Sequence, residues 1–339
     1  MTDKSEAGGA KPGPAARPLR PAQRPPAKPE PTAAPPERHS FDSLVRTALG
    51  QRVVAGLMHL LFETSRIVGR SAASRFASDF LREFGPFVPE HALAAENLAA
   101  AFPEKSPEER AHILSGVWDN LARATIDYAF MKELVAAFDP ERPTGGLIEH
   151  TGIEHVYRLR DGGKAGIIFG AHYGNWELSA AIGRSLGVPI TALYRPPRNP
   201  FVGAELERRR YFVEKLVASN RGAALQVAGA LMRGSHIGVI IDQRIAEGPA
   251  IRFFGRPALS NPIVGLLARH FECPVHGARS IRLPGGRFLA EMSPPLELPR
   301  DAKGRVDADA TNRLVHGMIE SWVREHPEQW LWVHDRWRS

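Results

Sequence analysis

The chain has 339 residues, of which 43% are apolar and 24% charged, proportions that exclude a fibrous or wholly disordered protein. Its 44 basic and 37 acidic residues leave a formal charge of +7, which favours an acidic partner: nucleic acid, an anionic membrane surface or an acidic protein. The single cysteine, Cys273, excludes an internal disulfide and a zinc site built from several cysteines.

Residues 1–40 hold ten prolines, with seven basic and four acidic side chains and no hydrophobic periodicity, and read as a disordered, partly polyproline-like tail. The body is then only mildly basic, which argues against nucleic acid. No secretory signal is legible, and no run of ~20 apolar residues is present to span a bilayer. The longest apolar stretch, Val53 to Phe62, is short and contains His59.

Beyond Ser40 the pattern turns helical. Leu49, Val53, Val54, Leu57, Met58 and Leu61 recur at helical spacing, as a core-packing helix or an interfacial one with basic flanks. Further helices are predicted over Ser74–Phe84, Pro89–Ala101, Ser106–Phe130 and Met131–Phe138. Ser106, Pro107 and Glu109 supply the N-cap, N1 and N3 residues of a capping box.

From Gly166 the grammar is α/β. Strands are predicted at Gly166–Phe169, Ile190–Tyr194 and Ile237–Ile241, with helices over Asn175–Leu186, Phe201–Ser219 and Ala223–Arg233 between them. This alternation implies right-handed crossovers and a largely parallel sheet. Two more strands, Pro274–Arg282 and Arg287–Met292, read as a hairpin through Pro284-Gly285-Gly286, and a last helix covers Ala308–Arg324.

Ligands of open α/β sheets bind beyond the carboxyl ends of the strands. Three strands here run into His172, into Arg195 and into Asp242-Gln243-Arg244. An imidazole accepts a proton near neutral pH, so His172 is a candidate general base. Glu177, near the first turn of the next helix, has two readings. Its carboxylate reaches back to the imidazole and fixes the tautomer, or it simply favours the helix macrodipole. Arg195 lies in a loop stiffened by Pro196, Pro197 and Pro200 and offers a fixed guanidinium, and Asp242 caps a turn or holds a polar partner. Arg208-Arg209-Arg210, beside Glu205, Glu207 and Glu214, is a solvated face or a site for a carrier protein or lipid headgroup. The terminal Trp330-Leu331-Trp332-Val333-His334-Asp335-Arg336-Trp337 suits a membrane interface or internal packing. No phosphate-binding glycine loop, Gly-x-Ser-x-Gly motif or convincing metal-ligand spacing occurs.

In their order these segments resemble one family. His172-Tyr173-Gly174-Asn175-Trp176-Glu177 matches a histidine, four residues and an acidic residue. Tyr194-Arg195-Pro196, Asp242-Gln243, Phe253-Phe254-Gly255, Trp332-Val333-His334 and Arg336-Trp337 follow. Asn97 to Pro103 and Trp118-Asp119-Asn120-Leu121 precede them. The chain from Phe80 to Trp337 is similar to the late acyltransferases of lipid A biosynthesis, the lauroyl/myristoyl acyltransferase family.

The resemblance implies a glycerolipid-acyltransferase-like α/β fold, with a mixed, largely parallel sheet flanked by helices and an N-terminal helical region. The body then divides into a helical, membrane-interfacial region over 41–140 and a catalytic domain over 141–339, while the Pro-rich tail over 1–40 departs from the family, whose members often begin with a hydrophobic membrane anchor. The resemblance further implies an enzyme on the cytoplasmic face of the bacterial inner membrane. That enzyme takes an acyl chain from an acyl carrier protein thioester and esterifies a hydroxyl of the glycolipid acceptor, a lipid A precursor. His172 becomes the base and Glu177 its partner. Arg195, Asp242, Asn175 and Gln243 bind substrate or order the site, and neither metal nor organic cofactor is required. Family relatives that acylate phosphatidylinositol mannosides leave another glycolipid, or a lysophospholipid, as the alternative acceptor.

Overall fold

A computed structural model describes residues 47–220 and 222–337. The expected tail over 1–40 lies outside them.

Four helices open the described chain: α1 (Ala48–Val68), α2 (Arg70–Phe84), α3 (Pro89–Ala101) and α4 (Pro107–Asp127). The α4 start follows from its sequence. Ser106 Oγ accepts from the Glu109 N–H at 3.2 Å, and the Glu109 carboxylate accepts from the Ser106 N–H at 2.6 Å. The predicted continuation to Phe130 breaks into a 3₁₀ turn at Tyr128–Phe130, and α5 (Met131–Ala136) follows. A large apolar surface stays uncovered here, with Leu49, Leu57, Leu60, Phe76 and Phe87 each more than half exposed.

The rest is an α/β sheet. Its strands are β1 (Ile148–Thr151), β2 (Ile167–Gly170), β3 (Ile190–Tyr194), β4 (Lys215–Ala218), β5 (His236–Ile240), β8 (Val275–Arg282) and β9 (Phe288–Met292). They lie in the order β1-β9-β8-β2-β5-β3-β4, and β8–β9 is the antiparallel neighbour pair. A separate hairpin, β6 (Ala250–Phe253) with β7 (Arg256–Leu259), turns through Phe254 and Gly255. The crossovers carry α6 (Ile153–Asp161), α7 (Leu178–Ser185), α8 (Pro200–Arg209), α9 (Ala223–Met232) and α10 (Ile263–Phe271), and α11 (Ala308–Glu325) follows the sheet.

One reading needs correction. The helix predicted over Phe201–Ser219 stops at Arg209, and Lys215–Ala218 forms edge strand β4 beside β3. The charged run Glu205–Arg210 masked a four-residue strand too short to show periodicity of its own.

The two faces of the sheet are covered differently. Ile167, Phe169, Ile237, Val239 and Val275 pack with α9, α10 and α11 in the main core. The alternate residues Ile168, Gly170, Ala192, Gly238 and Ile240 face a cavity instead, beneath α6 and α7. Gly238 lets β5 pack tightly against β3, since a Cβ there would lie 2.8 Å from Ile190 Cγ2.

Candidate active site

Parallel register brings the site together. β2 and β5 are neighbours, with Gly170 opposite Ile240, so the residues two beyond each strand end stand side by side. Those residues are His172 and Asp242. Nδ1 of His172 lies 2.8 Å from Asp242 Oδ1, and the His172 backbone N–H donates to Oδ2 at 2.7 Å. The Trp330 indole N–H also donates to Oδ2, at 2.8 Å. Asp242 is 2% exposed. Burial alone would raise its carboxyl, but the charge and hydrogen bonds of His172, with the charge of His334, hold it well below the usual carboxylate range. Ionised Asp242 therefore fixes the proton of His172 on Nδ1 and leaves the Nε2 lone pair free to take another.

The loop that carries His172 is pinned by distant segments. Gly174 has φ +56°, and a Cβ on it would fall 1.9 Å from the Ser280 carbonyl oxygen, so only glycine fits this turn. Its N–H donates to Gln329 O at 2.9 Å, and the Leu331 N–H donates to His172 O at 3.1 Å. Asn120 of α4 donates to the carbonyls of Gly174 and Gln329, at 3.3 and 3.1 Å. Asn97 of α3 donates to those of Trp332 and His334, at 3.0 and 2.8 Å. The helical region thus buttresses both the histidine loop and the C-terminal strap. Trp330 and Trp332 are buried, so internal packing accounts for these two terminal tryptophans.

Glu177 does not take the place expected of it beside the imidazole. Tyr128 donates to its Oε1 at 2.5 Å, and Arg210 donates to both oxygens, at 2.5 Å to Oε1 and 3.2 Å to Oε2. Burial would lower the Arg210 guanidinium, but the charges of Tyr128 and Glu177 and their hydrogen bonds raise it overall. Arg210 lies one residue past the end of α8, which turns it inward, while Arg208 and Arg209 pair with Glu205. The three-arginine run is therefore neither wholly a solvated face nor wholly a docking site.

Asn175 is 2% exposed, and its amide donates to Asp127 Oδ2 at 3.1 Å. Asp127 also accepts from Arg70 at 2.8 Å and from Arg282 at 2.9 Å. Asn175 thus stands behind the loop in a buried polar cluster rather than on the cavity wall. Arg195 and Gln243 line the cavity with His172, Trp176, Glu177, Arg210 and Arg244. No carboxylate pairs with Arg195 or Arg244 among the described residues. Trp330, His334, Asn97, Asn120 and Arg210 were not singled out from the sequence as site residues. Asn97, Asn120 and His334 were visible as members of ordered motifs, Arg210 as part of a basic run and Trp330 as part of a Trp-rich end, and none of these signals says what a side chain touches.

The cavity measures about 450 Å³ and has an apolar floor, with Ile153, Val156, Leu159, Ile182, Leu186 and Ile190 among its walls. It joins a hydrocarbon-lined space to polar groups, among them a histidine and arginines, the composition of a site for an amphipathic substrate.

A family profile described as bacterial lipid A biosynthesis acyltransferase matches residues 45–339. The chain belongs to that family. This acyltransferase is 23% identical over 251 residues to a lipid A biosynthesis palmitoleoyltransferase of Escherichia coli K12, covering 73% of this chain and 78% of the relative. It is also 23% identical over 258 residues to a lauroyltransferase of the same organism, with the same coverage. A lipid A biosynthesis acyltransferase of Haemophilus influenzae is 23% identical over 251 residues, covering 71% of this chain and 73% of the relative.

Proposed function

We propose that this enzyme transfers an acyl chain from an acyl carrier protein thioester to a hydroxyl of a lipid A precursor, with His172 as general base. The observation that carries the reading is the Asp242–His172 pair, whose histidine is among the polar groups lining an apolar cavity. The acyl chain lies along the cavity floor, so its thioester carbonyl meets those groups. Nε2 of His172 takes the proton from the acceptor hydroxyl as its oxygen attacks the carbonyl carbon. The negative charge that develops on the carbonyl oxygen is stabilised by Arg195, a cation with no competing carboxylate. The C–S bond then breaks, and the thiolate leaves with the proton held by the imidazolium. Glu177 serves by holding Arg210 and Tyr128 on the cavity wall rather than by touching His172.

The acceptor follows the family, whose description names lipid A, in preference to a phosphatidylinositol mannoside or a lysophospholipid. No helix among the described residues is long and apolar enough to cross a membrane. In this reading residues 41–140 lay their exposed apolar side chains on the cytoplasmic face of the inner membrane, and 141–339 carry the chemistry. The test is purified enzyme with acyl carrier protein thioester and lipid A precursor, followed by mass spectrometry. The expected product is a precursor heavier by one acyl group, with a loss of about 10²-fold or more in His172→Ala. Full activity in that variant rejects the mechanism.

A further inference from the structure

With its proton committed to Asp242, His172 presents an Nε2 lone pair that needs a donor. The side-chain nitrogen of Gln243 lies 3.4 Å from it, and the same nitrogen lies 3.2 Å from Nε2 of His334. The two imidazoles stand 5.3 Å apart between ring centres, at 73° to one another. An amide NH₂ has two hydrogens, one for each ring. This arrangement satisfies all three groups when both imidazoles are neutral and unprotonated at Nε2. Turned over, the amide would set its oxygen against the lone pair that Asp242 imposes on His172.

We propose that His334 is a positioning residue for acyl transfer, acting through Gln243 to hold the Nε2 lone pair of His172 aimed at the acceptor hydroxyl. The proposal rests on the reading of His172 as the base. Asp242 alone anchors only one edge of the imidazole, and the amide bridge anchors the opposite edge. His334 suits the task because its own backbone is fixed. Asn97 holds its carbonyl. Two residues on, the fully buried Arg336 donates to Leu259 O and Ser260 Oγ, each at 2.7 Å. Burial, reinforced by the nearby His172 and Arg195 and opposed by Asp242, keeps the His334 pKa down to about 4. It therefore remains a neutral acceptor at pH 7.

The bridge is also displaceable. An arriving hydroxyl donates to Nε2 of His172 in place of one amide hydrogen, and that hydrogen turns onto the hydroxyl oxygen. The second amide hydrogen stays on His334, so Gln243 keeps its place while the substrate is oriented between amide and base.

The full chain is tested as Gln243→Leu, His334→Phe and the double variant, with ¹⁵N-histidine spectra recorded without substrate. In the unaltered protein both Nε2 signals take the position of an unprotonated, hydrogen-bonded nitrogen. Both are expected to move toward the free-acceptor position in Gln243→Leu. A His334 signal unmoved in that variant overturns the bridge, whatever the activity. In the transfer assay each single variant is expected to lose about tenfold in kcat, with the donor KM within about twofold. The double variant is expected to lose no more than the worse single one, because both break the same chain of contacts. Losses that multiply overturn the proposal. His334→Gln restores an acceptor at this position and is expected to regain most of kcat, which a purely space-filling role would not produce. Absence of transfer by the unaltered enzyme rejects the functional reading instead, and leaves the spectroscopic result standing by itself.

Discussion

Asp242 and His172 are seventy residues apart in the chain and 2.8 Å apart in the fold, whereas Glu177, in the same loop as the histidine, binds Arg210 and Tyr128. The two acidic residues therefore have different work, and substitution separates them. Asp242→Asn keeps the shape but removes the charge that holds the proton on Nδ1, so a loss on the order of 10³-fold in kcat is expected. Trp330→Phe removes one of the two N–H donors to Asp242 Oδ2 and is expected to cost about tenfold. Steady-state kinetics check both, and an Asp242→Asn enzyme at full kcat rules out the orienting role.

Glu177→Gln acts first on stability. It leaves the largely buried Arg210 without its counter-charge, and breaking such a pair costs about 3 kcal/mol. Glu177→Gln with Arg210→Met removes the orphaned cation and is expected to recover much of that loss. Urea unfolding of the two variants is the measurement. No recovery in the pair means that Glu177 matters for some reason other than Arg210.

This division of labour also shows what the chain order concealed. Strand ends, and hence the candidates His172, Arg195 and Asp242, were legible because short apolar runs stopped at polar residues. Which of them would touch was not legible, because contact depends on strand order. β5 inserts between β2 and β3, and the Gly170–Ile240 register then sets Asp242 beside His172. Nothing in the local sequence encodes that insertion. The same holds for the C-terminal strap, whose tryptophans gave composition without address. β1, the β6–β7 hairpin and the helices α6 and α10 were also missed. The strands have four residues each, and the helices have nine, too few for a clear period.

The cavity floor predicts how donor preference is set. Ala192 lines the cavity with a small side chain and leaves space that a larger one would fill. Ala192→Val is expected to shift the preferred donor toward shorter acyl chains while kcat with the shorter donor stays near that of the unaltered enzyme. A panel of acyl carrier protein thioesters of graded length measures this. An unchanged optimum places the acyl chain outside the cavity.

Acid stability follows from a buried imidazole on α11 that lies within the electrostatic reach of Asp242. His316 is 0% exposed, and its Nδ1 lies 2.8 Å from the Asn312 carbonyl. Burial lowers its pKa from 6.5 to about 4, with Arg336 adding and the Asn312 carbonyl opposing. Between those values the unfolded chain binds a proton that the folded chain refuses. Stability is therefore complete above about 6.5 and falls as pH drops toward 4, by about 3 kcal/mol from this residue. His316→Gln, which does not titrate, is expected to flatten that slope in urea unfolding across the window. A slope equal to that of the unaltered chain assigns the acid sensitivity elsewhere.

The proposed membrane attachment rests on an apolar surface that the fold leaves uncovered. Thirteen of the seventeen large apolar side chains exposed among the described residues fall between Leu49 and Val88, so the uncovered surface belongs to α1, α2 and the turn after them. Phe76, Phe80 and Phe84 recur every fourth residue along α2, one above another, and Phe87 continues beyond its end at 80% exposure. A hydrated row of phenylalanines on a rigid helix gains from any apolar phase that receives it, roughly 1.5–3 kcal/mol for each ring fully buried. Phe76→Ser, Phe80→Ser and Phe87→Ser together are therefore expected to weaken partitioning onto phosphatidylglycerol-containing vesicles by at least about 100-fold. Transfer to a detergent-dispersed acceptor should be nearly unchanged, because none of the three residues lines the cavity. Vesicle sedimentation and the detergent assay, run on the same preparations, separate attachment from catalysis. Equal sedimentation of the triple variant and the unaltered chain would mean that this surface does not attach the protein to a membrane.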